Sequence, residues 1–424
     1  MSIILKNGTF INWETLEFVD AHVVVSENDV EPLKFVEKGE ELEVGPSDKV
    51  MDCTGQYITK SFGVGHHHVY SALARGMPAP AAIPTNFREI LKYIWWNLDK
   101  ALDAETIEAS ALATAIACAK SGATFAIDHH ASPNYIEGSL EIIAKAFEKV
   151  GISHLLCYEV TDRDGPEKAE KGLEESVTYL KNYQGLVGLH ASFTVSDPTL
   201  KKAALIAEKY KTGIHIHVAE DLYDQEHCMQ HYKKRVVDRL NDFGLLRSGK
   251  TILVHGLHLD DKERKILKNS PAFIAQNMES NLKNKVGFFN GAGLDENRIM
   301  LGTDGMHSDM LQSARSAFFM GQKTDNITFE SAYKRFRNVH HYLKSNHFTG
   351  DGNNNLVVLD YDSPTPFRQE NFVGHFIFGL RSNHVQHVIS RGKLILKEQE
   401  LITLNEKETL LFVRKQAERL WEKL

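Results

Sequence analysis

The chain has 424 residues, 42% of them hydrophobic, with a formal net charge of −7. That is ample material for a large core, and the acidic balance argues against a nucleic-acid or anionic-membrane surface. No run of about 18 apolar residues occurs, so no membrane-spanning helix is predicted.

The opening stretch, "MSIILKNGTF", lacks the length and cleavage pattern of a signal peptide. Up to residue 60 the sequence reads as short β-branched strands, in "SIILKNGTFI", "AHVVVSEN" and "ELEVGPSDKVMDCTGQYI", broken by Asn-Gly, Glu-Asn and Gly-Pro turns. From there short apolar runs alternate with amphipathic segments such as "LEIIAKAFEKVG" and "LKKAALIAEKYKTG". Eight candidate strands are centred near 63–66, 123–128, 153–158, 186–190, 213–217, 251–255, 272–275 and 299–303. Eight βα units in one block predict a closed parallel barrel. Strand texture returns in "NNLVVLDYDSP", "HFIFGL" and "VQHVISRGKLILKEQELI". The last segment places Leu410, Val413, Ala417, Leu420 and Leu424 at helical spacing and reads as a docking helix. The expected organisation is a (β/α)8 TIM-like barrel over 61–350. A small β-sandwich-like domain is built from 1–60 and 351–424, the latter ending in the helix. Cys53, Cys118, Cys157 and Cys228 form no C-x-x-C pair, and the simplest setting for them is a reducing cytoplasm.

In a barrel of this kind functional groups belong at the C-terminal ends of strands. His66 and His68 end the first strand, in "GVGHHHVY", and alternation places them on one face. Asp128, His129 and His130 end the second, His190 the fourth, His217 the fifth with Glu220 three residues on, His255 the sixth and Asp304 the eighth. His67 and His215 read as facing away and structural, and one of His129 and His130 as lining the pocket. Each has a plainer explanation alone: Asp304 suits a helix N-cap and Glu220 a solvated first turn. Together, two histidines from one strand, a histidine from a second and an aspartate from a third make a mixed nitrogen–oxygen set. That set suits Zn²⁺ or Fe²⁺ with a position open for water.

"GHHHVYSALARG", "GIHIHVAED", "ILVHGLHL" and "IMLGTDGMHSDM" resemble the signature strand ends of the amidohydrolase superfamily, in its cytosine/guanine/chlorotriazine deaminase branch. "IDHHASP", "LHASFTV" and "HVAEDLYD" are closest to SsnA-like aminohydrolases. The resemblance implies that His66, His68, His217 and Asp304 bind one divalent metal, Zn²⁺ before Fe²⁺. It implies that Glu220 is the proton shuttle, that His255 polarises the attacking water and that His190 contacts substrate. No lysine stands where binuclear members carry a carbamylated one, which favours one metal. Three positions depart from the family pattern: Lys60-Ser61 replaces a Pro-Gly, "NMESN" has Met278 in place of proline, and "GNNNL" stands for the entry to the last strands.

The chemistry these groups suggest is hydrolytic deamination of an amino-substituted heterocycle such as a purine or pyrimidine base. Asp304 takes the water's proton, Glu220 protonates a ring nitrogen and then the leaving amine, and His255 stabilises the tetrahedral centre. Tyr70, Arg75, Trp95 and Phe193 are further substrate-contact candidates, and Asp162 a weaker one. Trp95 and Trp96, being adjacent on a helix, are expected not to share a face, which leaves one for the core or for a homodimer interface. Two alternatives stand beside this reading. One is a sister hydrolase of a chlorotriazine, an amidine or an S-adenosyl thioether. The other is a non-catalytic scaffold, which has no reason to keep Glu220, His255 and Asp304 beside all the ligands.

Overall fold

A computed structural model describes residues 2–28 and 30–424. The N-terminal strands are β1 Ile3–Lys6, β2 Thr9–Ile11, β3 Phe18–Val25, β4 Leu33–Glu37, β5 Lys49–Asp52 and β6 Tyr57–Lys60. Eight strands follow, each separated by helical segments: β7 Phe62–His67, β8 Ala123–His130, β9 Ser153–Tyr158, β10 Val187–Ala191, β11 Ile214–Val218, β12 Ile252–His255, β13 Phe273–Gln276 and β14 Ile299–Leu301. All eight expected centres fall on these strands. The chain returns to strands with β15 Leu356–Leu359, β16 Val385–Ser390, β17 Lys393–Lys397 and β18 Glu400–Leu401.

The eight central strands are parallel, β7–β9 in one run and β10–β14 in the other. Two seams join the runs into a TIM-barrel-like ring. At one, parallel bridges pair Leu156 with Gly185 and Val160 with Leu189. At the other, His67 bridges Asp304. There Thr303 N–H and Asp304 N–H donate to the His66 carbonyl at 2.9 and 3.2 Å, and His68 N–H donates to the Asp304 carbonyl at 3.3 Å. Gly65 permits this approach, since a Cβ there would stand 2.6 Å from the Leu301 carbonyl oxygen.

Alternation sorts the barrel side chains. Phe125, Ile127, Leu155, Cys157, Ile252 and Val254 pack inward, and Val339, Tyr342 and Leu343 of the helix Phe329–Ser345 join the same apolar cluster. Leu156, Ile216 and Leu253 face the other way, into the large cluster shared with the outer helices.

Strands from both chain ends form one sheet in the order β18-β17-β16-β15-β6-β2-β3-β1-β5, with β4 on β3. Its apolar cluster draws on both ends at once: Ile3, Leu5 and Val23 pack with Leu356, Val358 and Ile389. Where this sheet meets the barrel, the buried Lys60 ammonium lies 2.9 Å from Asp351 Oδ1 and donates to the carbonyls of Asp351 and Gly352. His340 Nδ1 lies 2.8 Å from the other Asp351 oxygen.

"HFIFGL" is not a strand. Its apolar residues belong to the helix Phe372–Phe378, whose buried Phe372, Phe376 and Ile377 sit at helical spacing and pack on Tyr333 and Phe336. The final helix is Glu406–Trp421, with Val413 and Leu420 buried. Leu424 lies beyond its end and is exposed. Among the described residues no helix is long and apolar enough to cross a membrane.

Candidate active site

His66, His68, His217 and Asp304 come together, all buried, with one donor atom from each within 4.8 Å of the others. His68 Nε2 lies 3.1 Å from His217 Nε2 and 3.0 Å from Asp304 Oδ1, and His66 Nε2 lies 3.5 Å from the same oxygen. The far nitrogens are held from behind. His68 Nδ1 meets the His129 carbonyl at 2.7 Å and His217 Nδ1 the His190 carbonyl at 2.8 Å. A carbonyl only accepts, so both rings carry their proton on Nδ1 and turn an Nε2 lone pair inward. Two lone pairs 3.1 Å apart beside a carboxylate repel, and a shared cation relieves them. Three imidazole nitrogens and one carboxylate oxygen are a donor set that Zn²⁺ and Fe²⁺ accept.

His66 Nδ1 rests on His215 Nε2 at 2.9 Å. His215 therefore does not face away as expected. Two residues before His217 on β11, it shares that residue's face. His67 does point elsewhere, to Thr303 Oγ1 at 2.9 Å. His129 turns inward below the cluster and His130 turns outward to Ser132.

Glu220 and His255 stand beside the cluster, with His255 Nε2 3.4 Å from Glu220 Oε2. Val254 packs inward, so strict alternation would send His255 out. A left-handed φ of 72° at His255 breaks the alternation and brings the ring in. Asp304 is left-handed too, at 52°.

The short helix Met278–Asn284 braces all three groups. Ser280 donates to Asp304 Oδ2, Asn281 Nδ2 to His255 Nδ1 at 2.8 Å, and Asn284 Nδ2 to Glu220 Oε1 at 3.5 Å. The Asn281 contact makes His255 Nδ1 an acceptor, which leaves Nε2 to carry the proton toward Glu220.

A cavity of about 580 Å³, open mouth included, lies over the cluster. Tyr70, Trp95, Trp96, His190 and Lys283 line it. Both tryptophans line it from a segment with a π turn over Leu91–Trp95. The two share the cavity wall, against the expectation of separate faces, while both also pack against the core, as expected of at least one. Cations tie this segment to its surroundings: its own Arg88 stacks on Tyr223, while Lys283 stacks on Trp95 and Arg163 on Trp96, at 4.2, 4.7 and 5.0 Å from the ring centres. Phe193 flanks a smaller recess with His190 and Glu220. Arg75 is exposed and lines neither. Asp162 is occupied with Ser196 N–H and Thr199 Oγ1 at a helix start.

The sequence pattern of the amidohydrolase family matches residues 65–335, well over half the chain. The chain belongs to the amidohydrolase family. It is similar to a 5-methylthioadenosine/S-adenosylhomocysteine deaminase of Thermococcus onnurineus, 27% identical over 426 positions and 95% of each chain. It is also similar to a 5'-deoxyadenosine deaminase of Methanopyrus kandleri, 28% identical over 88% of this chain and 86% of that one. Among solved structures, a zinc-bound adenosine deaminase from Xanthomonas campestris superposes with a TM-score of 0.83 at 18% identity, covering 99% of this chain and 98% of that one. Escherichia coli guanine deaminase gives 0.76 at 17%, over 94% and 99%. These relatives agree with the expected enzyme class, a hydrolase of carbon–nitrogen bonds.

In this amidohydrolase the two carboxyls nearest the cluster are driven apart. Burial, reinforced by the Asp304 charge, pushes Glu220 well above the usual carboxylate range. Burial resists ionisation of Asp304 too, but the His66 and His68 imidazoles against its oxygen hold it well below that range. The two carboxyls therefore favour opposite protonation states. Burial lowers His255 to about 4, so its ring is neutral near pH 7.

Sequence reasoning missed Ser280, Asn281, Asn284 and Glu159. The first three were visible as polar residues one helical turn apart in and just after "NMESN". Glu159 was readable by alternation, since Leu155 and Cys157 point inward and 159 continues their row.

Proposed function

We propose that this amidohydrolase is a metal-dependent deaminase that removes an exocyclic amine from a small heterocycle and releases ammonia. The observation that carries the reading is the convergence, under one cavity, of three inward Nε2 atoms and the Asp304 carboxylate with Glu220 and His255 alongside. His66, His68, His217 and Asp304 are the proposed ligands of one divalent ion, zinc before iron. When bound, such an ion makes water a competent nucleophile at neutral pH.

The remaining work falls to the chain. Ionised Asp304 takes the proton of the attacking water. Protonated Glu220 delivers its proton to a ring nitrogen, takes the proton of the hydroxyl added at the carbon and passes it to the departing amine, and the proton held by Asp304 then restores Glu220. His255, its N–H aimed by Asn281, stabilises charge on the tetrahedral carbon. His190, Tyr70 and Trp95 hold the flat ring and keep bulk water out, with Phe193 at the side.

The substrates named for the relatives make 5'-modified adenosines the first compounds to try, followed by guanine, adenine and cytosine. Ammonia release by zinc-loaded protein across that set is the test, and no release from any of them would sink the reading. Elemental analysis of His217→Ala should show metal content collapsing, and full retention would remove His217 from the ligand set.

We further propose that residues 1–60 and 351–424 form a composite β unit apart from a catalytic barrel over 61–350, on the strength of their shared apolar cluster. A reducing cytoplasm suits four cysteines that are all unpaired and buried.

A further inference from the structure

Glu159 has no part in the chemistry above, yet it lies 3% exposed on the cavity wall. One oxygen is taken: Oε2 meets His129 Nδ1 at 3.1 Å, while His129 Nε2 donates to the His215 carbonyl at 3.1 Å. The other oxygen, Oε1, receives no hydrogen bond from any described residue. His190 Nε2 stands 3.9 Å from it.

The state of that imidazole follows from its own partners. Thr194 Oγ1 donates to the Ala191 carbonyl at 3.2 Å, so at its 2.6 Å contact with His190 Nδ1 it accepts the ring proton. His190 Nε2 is then a bare lone pair. Two acceptors, Glu159 Oε1 and His190 Nε2, thus stand 3.9 Å apart on the cavity wall. Tyr70 closes the same wall with a hydroxyl that bonds to no described residue.

A metal is the plain rival explanation, because His68, His129, Glu159 and His217 also gather donor atoms within 4.8 Å. It fails on accounting. Both His129 nitrogens are already engaged, and His68 and His217 turn their free nitrogens to Asp304 and His66. Burial would favour a neutral Glu159, but the hydrogen bond from His129 holds its carboxyl below the usual range, so it remains an acceptor.

We propose that Glu159 is the specificity-determining residue of the cavity. It selects heterocycles that present a ring N–H to the β9–β10 wall, and Oε1 takes that hydrogen bond with His190 Nε2 beside it. The favoured class is lactam or amidine rings with a free N–H, which places guanine, adenine and cytosine ahead of the N9-substituted adenosines, and N-alkylated counterparts are excluded. A site built around a buried acceptor penalises a ligand that leaves it unpaired. The inference rests on the deaminase reading only in taking a heterocycle as the ligand.

The test is equilibrium binding to metal-replete protein, followed by Trp95/Trp96 fluorescence. The probes are uracil, hypoxanthine, xanthine and guanine, each paired with its singly N-methylated forms. The parent should bind at least one N–H form ten-fold or more tighter than its methylated partner. Glu159→Gln keeps size and can still accept from His129 through its oxygen, but turns an N–H₂ toward the gap. It should bring that ratio within about two-fold. Steric rejection of the methyl group would survive in Glu159→Gln, so an unchanged ratio overturns the proposal. A parent ratio near one, or no binding of any pair, overturns it as well.

Metal content and thermal unfolding on the same preparations show that the variant folds. If it does not, Glu159→Asp, which withdraws the carboxylate by one methylene, should cut the ratio at least five-fold. Should neither variant fold, the parent is tested with 3-deazauracil, in which a ring N–H of uracil is a C–H of the same size: binding ten-fold or more weaker than uracil supports the proposal, and equal binding overturns it. Ammonia release by the parent is scored separately. Preference without turnover sinks the deaminase reading alone, and turnover without preference sinks this one alone.

Discussion

At the residue scale, Glu220 and Asp304 carry the contrast on which the proposed chemistry depends. Both are carboxyls, both are screened from water, and they shift in opposite directions because only Asp304 lies against the His66 and His68 imidazoles. Glu220→Gln preserves shape but holds no transferable proton. Its ammonia release should fall by about 10²–10⁴-fold with metal content unchanged. Activity within a few-fold of the parent, measured beside elemental analysis, would remove Glu220 from proton transfer. The strand-end histidines were legible because an eight-strand pattern says where functional groups must fall. Glu159 was overlooked because its strand was credited to Asp162, three residues further on, where the chain has already left the barrel wall. His215 was misjudged for neglecting a period of two.

At the element scale, the helix Met278–Asn284 shows what a motif's departure conceals. Met278 in place of proline drew attention to loop shape, whereas Ser280, Asn281 and Asn284 are what brace the site. The same lesson applies to Lys60, the other departure. It anchors the start of β7 to Asp351, while His340 reaches Asp351 from the helix Phe329–Ser345. Burial lowers His340 to about 4 despite Asp351, with Lys60 and Arg337 also near it. A histidine whose folded value lies below its ordinary 6.5 contributes stability that is complete above pH 6.5 and is lost as pH falls toward 4. Thermal unfolding across that window should show a decline, no steeper than about 1.4 kcal/mol per pH unit for this one group. His340→Gln should flatten the decline, and an identical slope would acquit the junction. The helix at Phe372–Phe378 escaped notice because a short apolar run has no period long enough to separate helix from strand.

At the scale of the whole molecule, the two chain ends depend on each other. Leu356, Val358 and Ile389 are covered by Ile3, Leu5 and Val23. Removing residues 1–55 strips that cover and leaves β6 without β2. Amide exchange should then quicken across Leu356–Leu359 and Val385–Ser390, and unchanged protection there would count against the composite unit. The alternating texture of the middle section made the barrel readable before any coordinates. The pairing of the ends was readable only in outline, since nothing local in a sequence sets which strand lies beside which.

The ring of eight strands is laced unevenly. Inside each run the strands pair in ladders of several residues, but β14 meets β7 through one bridge and a few amide bonds around His66, His68 and Asp304. Those same residues are three of the four proposed ligands, and the fourth, His217, sits across the ring on β11. An ion held there is a rivet through the weakest stitch of the hoop, so occupancy and ring closure are thermodynamically linked. Unfolding temperature should climb with free zinc concentration. Under a chelator the amides of His68, Thr303 and Asp304 should exchange before those of β11 and β12. Uniform loosening around the ring would mean that the ion serves the chemistry alone.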